Sequence, residues 1–217
     1  MKDLTRKVLS ETDREAISAA VAEAEKQTVG EIVPMVVSTS YHYPMADVIG
    51  GAALALPAAL LLTPLIGGWF WIGPWNLWLF LGLFSLIFPA ALLIVRHTLA
   101  LKRMFISSHE IEEEVEEAAV ISFFKNGVFR TRDETGVLIF ISLFERRVWV
   151  LADRGINRKV SQDRWDAIVG GIVAGIREKR AVEAVCKAVA DVGELLAEHF
   201  PIRDDDQDEL TNLIVED

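Results

Sequence analysis

The sequence is poor in cysteine, histidine and positive charge. Its 217 residues include one cysteine and four histidines, and 22 Lys and Arg face 32 Asp and Glu, which gives a net charge of −10. A single cysteine, Cys186, cannot form an intrachain disulfide, so no oxidising compartment is indicated. The negative balance disfavours nucleic acid as a partner, because phosphates are bound through Lys and Arg, and it disfavours a broad attraction to anionic lipid.

Recognisable catalytic motifs are also missing. The sequence has no P-loop, no glycine-rich dinucleotide turn, no Gly-x-Ser-x-Gly, no His-Glu-x-x-His and no Cys-x-x-Cys. Cys186 lies on an apolar helix face and is interpreted as a small core residue. The four histidines are scattered without a partner motif, and they are interpreted as structural or solvent-exposed. Nothing in these patterns predicts nucleophilic catalysis.

Charge is entirely absent between residues 48 and 95. Two apolar segments, 48–66 and 77–95, are each long enough to cross about 30 Å of hydrocarbon at about 1.5 Å per residue. The turn between them is rich in glycine and tryptophan, which is typical of an aromatic belt at the membrane interface. The pattern predicts a transmembrane helical hairpin over 48–100; the alternative is a buried core hairpin of a soluble protein.

The basic residues near the ends of these segments predict their orientation. Arg96, Lys102 and Arg103 follow the second segment, whereas the connecting turn carries no charge. The positive-inside rule then places the turn outside and both termini in the cytoplasm, with the protein in the inner (plasma) membrane. Residues 1–10 lack an apolar core, so we expect no cleavable signal peptide. Small residues from Gly50 to Ala59 indicate either a close helix contact or an ordinary lipid-facing surface.

The rest of the chain shows patterns of a small α/β domain. Thr12 with Glu15, and Ser107 with Glu110, fit capping boxes at the starts of two helices. β-branched and apolar runs predict strands at 31–38, 136–143 and 147–152, and apolar periodicity predicts two further helices after them.

The first predicted strand lies before the hairpin and its partners lie after it. A lone strand is not a stable sheet, so we expect one discontinuous cytoplasmic α/β domain, 1–47 with 101–203, into which the hairpin is inserted. Helices on both faces of the sheet would make a three-layer α/β sandwich. Residues 204–217 are interpreted as an exposed acidic tail.

Acidic and basic side chains at the ends of predicted elements are the only candidates for chemistry. Oxygen-rich clusters bind hard cations such as Ca²⁺, which takes six to eight oxygen ligands. Alternatively, the acids are ordinary turn and cap residues and the arginines are surface residues. The glutamate run at 110–117 is likewise interpreted as a solvated helix face, with cation binding as its alternative. The candidate metal ligands are Asp133, Glu134, Asp153 and Asp163, and the candidate anion clamp is Arg130, Arg132 and Arg154.

Several motifs outside the hairpin resemble one known family. They are LSE at 9–11, TVGEIVPMVV at 28–37, FFKNGVFRT at 123–131, TGVLIFISLFERRVWVLADRGI at 135–156, and the ending from HFP at 199–201 to DEL at 208–210. In these stretches the chain resembles the TPM domain family, named from thylakoid-lumen, photosystem II repair and nematode membrane proteins, and more closely its bacterial membrane-anchored branch.

The resemblance implies a Rossmann-like α/β/α sandwich, together with the acid phosphatase activity and Ca²⁺ binding claimed for relatives. Two positions depart from the family: Ala152–Gly155 replaces a common Gly-x-Gly turn, and Glu134-Thr135 stands where others have Asp or Asn pairs. We therefore expect a membrane-anchored, non-enzymatic interaction or assembly module. Its expected partners are the lipid bilayer and other membrane proteins. The alternative is a metal-assisted phosphatase with Ca²⁺ as its cofactor.

Overall fold

The chain folds into helices and a four-stranded sheet, seen here in a computed structural model that describes residues 4–73, 76–178, 180–203 and 209–216, apart from the side chain of Lys7. Two compact units result: 1–41 with 112–217, called the α/β unit, and 42–111, called the hairpin unit. The elements are α1 Leu4–Val8, α2 Glu11–Glu25, β1 Glu31–Val37, α3 Pro44–Trp69, α4 Leu77–His97, α5 Leu99–Arg103, α6 Ser108–Lys125, β2 Gly136–Ser142, β3 Arg147–Ala152, α7 Arg154–Asn157, α8 Gln162–Arg177, α9 Ala181–His199 and β4 Ile214–Glu216.

The sheet of the α/β unit has the order β3-β2-β1-β4. β1 pairs with β2 in parallel, with Glu31 opposite Gly136. β2 and β3 form an antiparallel pair in which Val137 lies opposite Ala152. The prediction that the strand before the hairpin pairs with a strand after it is therefore confirmed.

The two faces of the sheet are covered by different helices. Side chains alternate along a strand, and Ile139 and its neighbours on the same face pack with α2, α8 and α9 into one apolar core. On the opposite face lie Phe140 and Trp149, beside residues of α6. Helix α6 buries Val115 and Ala119 there. These layers confirm the predicted three-layer α/β sandwich.

Two details of the predicted α/β unit were wrong. The first long helix begins two residues earlier than expected, because Ser10 rather than Thr12 is its N-cap and forms a capping box with Asp13. The segment 204–217, interpreted as an exposed tail, supplies strand β4, in which Ile214 lies opposite Met35 of β1. Asp204, Asp205, Asp206 and Asp208 of that tail lie outside the described residues.

Two long apolar helices, α3 and α4, dominate the hairpin unit. Both are long and apolar enough to cross a membrane by length and composition, with 26 and 21 residues. Pro57, Pro64 and Pro89 lie inside them without ending them. Pro74 and Trp75 of the predicted turn lie outside the described residues.

The small residues of α3 form its contact with α4. Gly51, Ala55, Ala59 and Thr63 recur every four residues and are buried. A Cβ atom at Gly51 would lie 3.1 Å from the Cα of Leu92. Of the two interpretations of this stripe, the close helix contact is therefore the one that the structure supports.

Candidate functional site

The acidic residues predicted as ligands gather mostly at one end of the sheet. Because β2 and β3 are antiparallel, the start of β2 lies beside the end of β3, and the Asp153 amide donates to the Gly136 carbonyl at 2.8 Å. The loop before β2 also contacts the turn after β3: a Cβ atom at Gly155 would lie 2.6 Å from the carbonyl oxygen of Glu134. The backbones that carry Asp133, Glu134 and Asp153 are thus neighbours, which sequence reasoning could not establish without the register.

The carboxylates at this end are engaged in holding the chain. Asp133 forms an ion pair with Arg203. Asp153 is the N-cap of α7, and its Oδ1 accepts from the Arg154 amide at 2.6 Å. Its Oδ2 is buried without a hydrogen-bond partner among the described residues. The exposed Glu134 has a backbone φ of 55°, in the left-handed region, so its place in the turn is conformationally unusual for a residue with a side chain.

Two further glutamates at this end were not predicted from the sequence. Glu31, at the start of β1, is 5% exposed, and its Oε1 accepts from the Glu209 amide at 3.2 Å. Glu209 in turn accepts from the Arg132 amide at 3.0 Å. These contacts join segments separated by more than seventy residues, so no local pattern could have revealed them.

The other predicted site residues are placed differently. Asp163 lies in the first turn of α8. The Arg130 guanidinium lies over the Phe129 ring, 5.5 Å from its centroid. Arg154 is the exposed first residue of α7. In the described part of the chain, no three His, Cys, Asp or Glu side chains form a group able to hold a metal ion. As Ca²⁺ takes six to eight oxygens, these side chains do not by themselves make a calcium site.

Comparison with known proteins bears on this α/β unit. A family model described as the TPM domain matches residues 97–195, the region that contains α6, β2, β3, α8 and most of α9. Over these residues the chain is similar to the TPM domain family. The NMR structure of BA42 protein from the psychrophilic bacterium Bizionia argentinensis is similar, with a TM-score of 0.59 and 21% identity over 96% of this chain and 95% of that chain. This likeness concerns the fold. No curated protein matches the chain significantly.

A buried carboxylate holds the segment that follows the first strand of the α/β unit. Glu145, fully buried, accepts from the Thr39 hydroxyl and the Ser40 amide, both at 3.0 Å. It also bonds to the Ser142 hydroxyl. The turn between β2 and β3 therefore holds the segment that follows β1. The sequence pattern does not single out Glu145 for this role.

Exposed apolar side chains form a patch on α6 and on the turn that follows it in the α/β unit. They are between 36% and 58% exposed, and the Phe124 and Phe129 rings lie 5.3 Å apart. A cluster of large exposed apolar side chains marks an interaction site more often than scattered single ones do. We call these residues the α6 patch: Val120, Ile121, Phe124 and Phe129.

The lone thiol of the chain is not activated. Cys186 lies on α9 and packs against the core. Burial raises the pKa of the Cys186 thiol, and the nearby Asp13 acts in the same direction. Reactive cysteines instead have a lowered pKa, because the thiolate is the nucleophile. The interpretation of Cys186 as a core residue is consistent with this environment.

Proposed function

We propose that the chain is a membrane-anchored TPM domain that acts as an interaction or assembly module for other membrane proteins. In this proposal α3 and α4 span the inner (plasma) membrane, and both termini are cytoplasmic. The single observation that carries the interaction role is the α6 patch.

The α6 patch is suited to a protein contact. Burying a Phe or Ile side chain contributes about 1.5–3 kcal/mol, and Ile121 and Phe124 are each more than half exposed. Their burial by a partner would remove the largest apolar side chains of the patch from water. The glutamates of α6 are mostly exposed along the same helix, which keeps the surface around the patch polar, as at the rim of an interface.

The membrane anchor is supported by length and composition. At about 1.5 Å per residue, α3 and α4 are about 39 and about 31 Å long, enough for a hydrocarbon core of about 30 Å. The last turn of α4 carries Arg96, and α5 carries Arg103. Basic residues at this end support a cytoplasmic location by the positive-inside rule.

Site-specific photocrosslinking tests the interaction role. A photoreactive amino acid replaces Phe124 in the full chain, expressed in its own membranes, and a matched variant carries it at Glu194, an exposed position on α9. The proposal predicts discrete adducts with membrane proteins from position 124, and a several-fold loss of them when Ile121→Ser is added. Equal adducts from both positions, or none from position 124, would contradict it.

A second candidate function is a metal-assisted phosphatase. It is favoured by one observation at the shared end of the sheet, where the backbones of Asp133, Glu134 and Asp153 are neighbours and Asp153 Oδ2 is buried without a partner among the described residues. A bound cation would supply charge stabilisation for phosphoryl transfer.

Calcium titration and hydrolysis of p-nitrophenyl phosphate test this candidate. Calcium should raise the melting temperature of the detergent-solubilised chain equally at low and high NaCl, because coordination is screened less than exposed charge. Asp153→Asn should abolish both that shift and hydrolysis, whereas Asp163→Asn should have a smaller effect. A shift that disappears with salt, or that Asp153→Asn retains, would leave these acids as turn and cap residues.

A further inference from the structure

The outer side of strand β3 is an open sheet edge. β3 is the terminal strand of the sheet, and a groove of about 490 Å³ runs along it between α6 and α8. We call this the edge groove. Its walls include Glu112 and Glu116 of α6 and Trp165 and Asp166 of α8, with Arg147–Ala152 between them. It does not include the α6 patch.

The pairing register shows which backbone groups face the groove. In an antiparallel ladder, alternate residues bond to the neighbouring strand. Since the Asp153 amide bonds to Gly136, Trp149 and Leu151 also turn their backbone groups toward β2. The amide and carbonyl groups of Val148 and Val150 then point away from β2. No hydrogen bond between described residues engages them, whereas the Ala152 carbonyl accepts from the Asn157 side chain at 2.7 Å.

This edge lacks most of the devices that prevent strand pairing. Natural edge strands are protected by proline, by bulges or by inward-pointing charges. Between Arg147 and Ala152 there is no proline, and the register with β2 is continuous, without a bulge. Arg147, at the start of the strand, is its one charged residue. An apolar edge of this kind is a template for a further strand.

A buried polar group in the groove wall also lacks a partner. Trp165 is 5% exposed and lines the edge groove. Its indole N–H has no acceptor among the described residues. A buried donor without an acceptor is costly, so a ligand that brings carbonyl oxygens into the groove would compensate for this defect.

The charges around the groove specify the chemistry of its occupant. Glu112, Glu116 and Asp166 are exposed on its two walls, and Arg147 is the single basic residue among the lining side chains. Complementary charge selects partners and disfavours like-charged ones. We propose that the edge groove binds an extended, basic segment of a partner polypeptide, which adds to the sheet as a strand beside β3. Such strand addition derives affinity from backbone hydrogen bonds and specificity from side-chain pockets.

A display library of random dodecapeptides, selected against the full chain in lipid nanodiscs, tests the proposal. Recovered peptides should be enriched in Lys and Arg and should alternate these with β-branched residues. A synthetic copy of a recovered peptide should bind at least about tenfold more weakly after N-methylation of alternate amides on its pairing side, because each methyl group removes a strand hydrogen bond.

Two variants of the chain separate strand addition from other kinds of binding. Val150→Pro removes an N–H that points away from β2, so the β2–β3 ladder stays intact while the edge is blocked. It should weaken peptide binding at least about tenfold. Glu112→Lys with Glu116→Lys should weaken it similarly, whereas Asp191→Lys with Glu194→Lys, an equal charge change on α9, should not. Melting temperatures of all variants check that they are folded.

Three outcomes would overturn the proposal. One is that no peptide is recovered above the level found with Val150→Pro. Another is that recovered peptides bind the Val150→Pro and Glu112→Lys/Glu116→Lys chains as tightly as the original. The third is that Val150→Pro halves the particle mass measured in detergent. That result would mean that the edge of the original chain binds a second copy of the same chain. Ile121→Ser in the α6 patch should leave peptide binding to the edge groove unchanged. The crosslinking test of the α6 patch and the peptide test of the edge groove can therefore fail independently.

Discussion

The ammonium group of Lys102 lies 2.9 Å from the carboxylate of Asp47, and the two side chains are only 2% and 14% exposed. Lys102 also donates to the His42 carbonyl at 2.6 Å. Asp47 is in the first turn of α3 and Lys102 is in α5, just after α4. The pair therefore joins the two ends of the hairpin unit at its base.

Removing one partner of this ion pair should destabilise the hairpin unit. Lys102→Ala leaves a buried carboxylate without its counter-charge, and such losses cost about 3–5 kcal/mol. Thermal unfolding of the detergent-solubilised chain, followed by size-exclusion chromatography, should show a clearly lower midpoint. The exposed Arg96→Ala is the control and should change it little. The double variant Lys102→Met with Asp47→Leu leaves no unpaired charge and should therefore be more stable than Lys102→Ala. Equal stability of the two would show that the loss does not come from the unpaired charge.

The same pair changes the basis of the topology prediction. Because Asp47 neutralises Lys102, the orientation rests on Arg96 and Arg103. We expect a fluorescent protein fused after Asp217 to be fluorescent and alkaline phosphatase fused there to be inactive. Arg96→Glu with Arg103→Glu should raise the activity of the fused alkaline phosphatase. An active phosphatase fusion on the original chain would show that the proposed orientation is wrong.

The α/β unit should fold without the hairpin unit. Its core is built from α2, α8, α9 and the sheet, and Tyr41 and Glu114 line the same pocket, so the two ends to be joined are near each other. Replacing residues 42–111 with a Gly/Ser linker of about 15 residues, which spans roughly 20 Å, should give a soluble protein with a cooperative melt and α/β circular dichroism. An aggregated or molten product would mean that the α/β unit needs the hairpin.

Glu145 should be important for the stability of that linker variant. Glu145→Ala leaves the part-buried Ser40 amide and the buried Ser142 hydroxyl without the acceptor that they have here, at a cost of about 1–3 kcal/mol for each buried group left unpaired. Urea denaturation should show a lower midpoint with an unchanged slope. Glu145→Gln keeps one carbonyl acceptor and should lie between the two. No shift with Glu145→Ala would mean that water replaces the carboxylate.

Cys186 should react slowly with thiol reagents. Burial raises the pKa of its thiol, so the reactive thiolate is a smaller fraction at any given pH than in a free thiol. The rate at which a chromogenic disulfide labels the folded chain should begin to increase at a higher pH than the labelling rate of N-acetylcysteine. Unfolding in urea should remove that difference. Rapid labelling of the folded chain at neutral pH would indicate an exposed, activated thiol.

The parts of the fold that sequence reasoning predicted are those with strong local signals. Strand β3 has the predicted bounds, because a turn precedes its β-branched residues and Asp153 follows them. Thr12 with Glu15 fits the usual capping-box pattern, but the structure forms the box from Ser10 and Asp13, two residues earlier. Strand β4 was missed because three residues near a run of acids carry almost no periodic signal.

The candidate site was less predictable, since its geometry depends on distant segments. Asp133 and Asp153 were chosen for their positions at strand ends, and the antiparallel register decided that they share an end. The pairing of Asp133 with Arg203 joins residues seventy positions apart. Glu145 gave no signal because Thr39 and Ser40, which donate to it, lie more than one hundred positions earlier in the chain. Asp133, Asp153 and Glu145 hold loop segments in place, and residue type alone cannot distinguish that use from catalysis.

The position of the hairpin between β1 and its partners sets an order of events during synthesis. β1 is translated first, but the strands on either side of it, β2 and β4, follow the hairpin. Domains fold as their residues emerge, at about 5–20 residues per second, so the sheet cannot close until α3 and α4 have left the ribosome. In the proposed topology, membrane insertion therefore precedes the folding of the α/β unit, and no folded cytoplasmic domain obstructs the insertion of the hairpin.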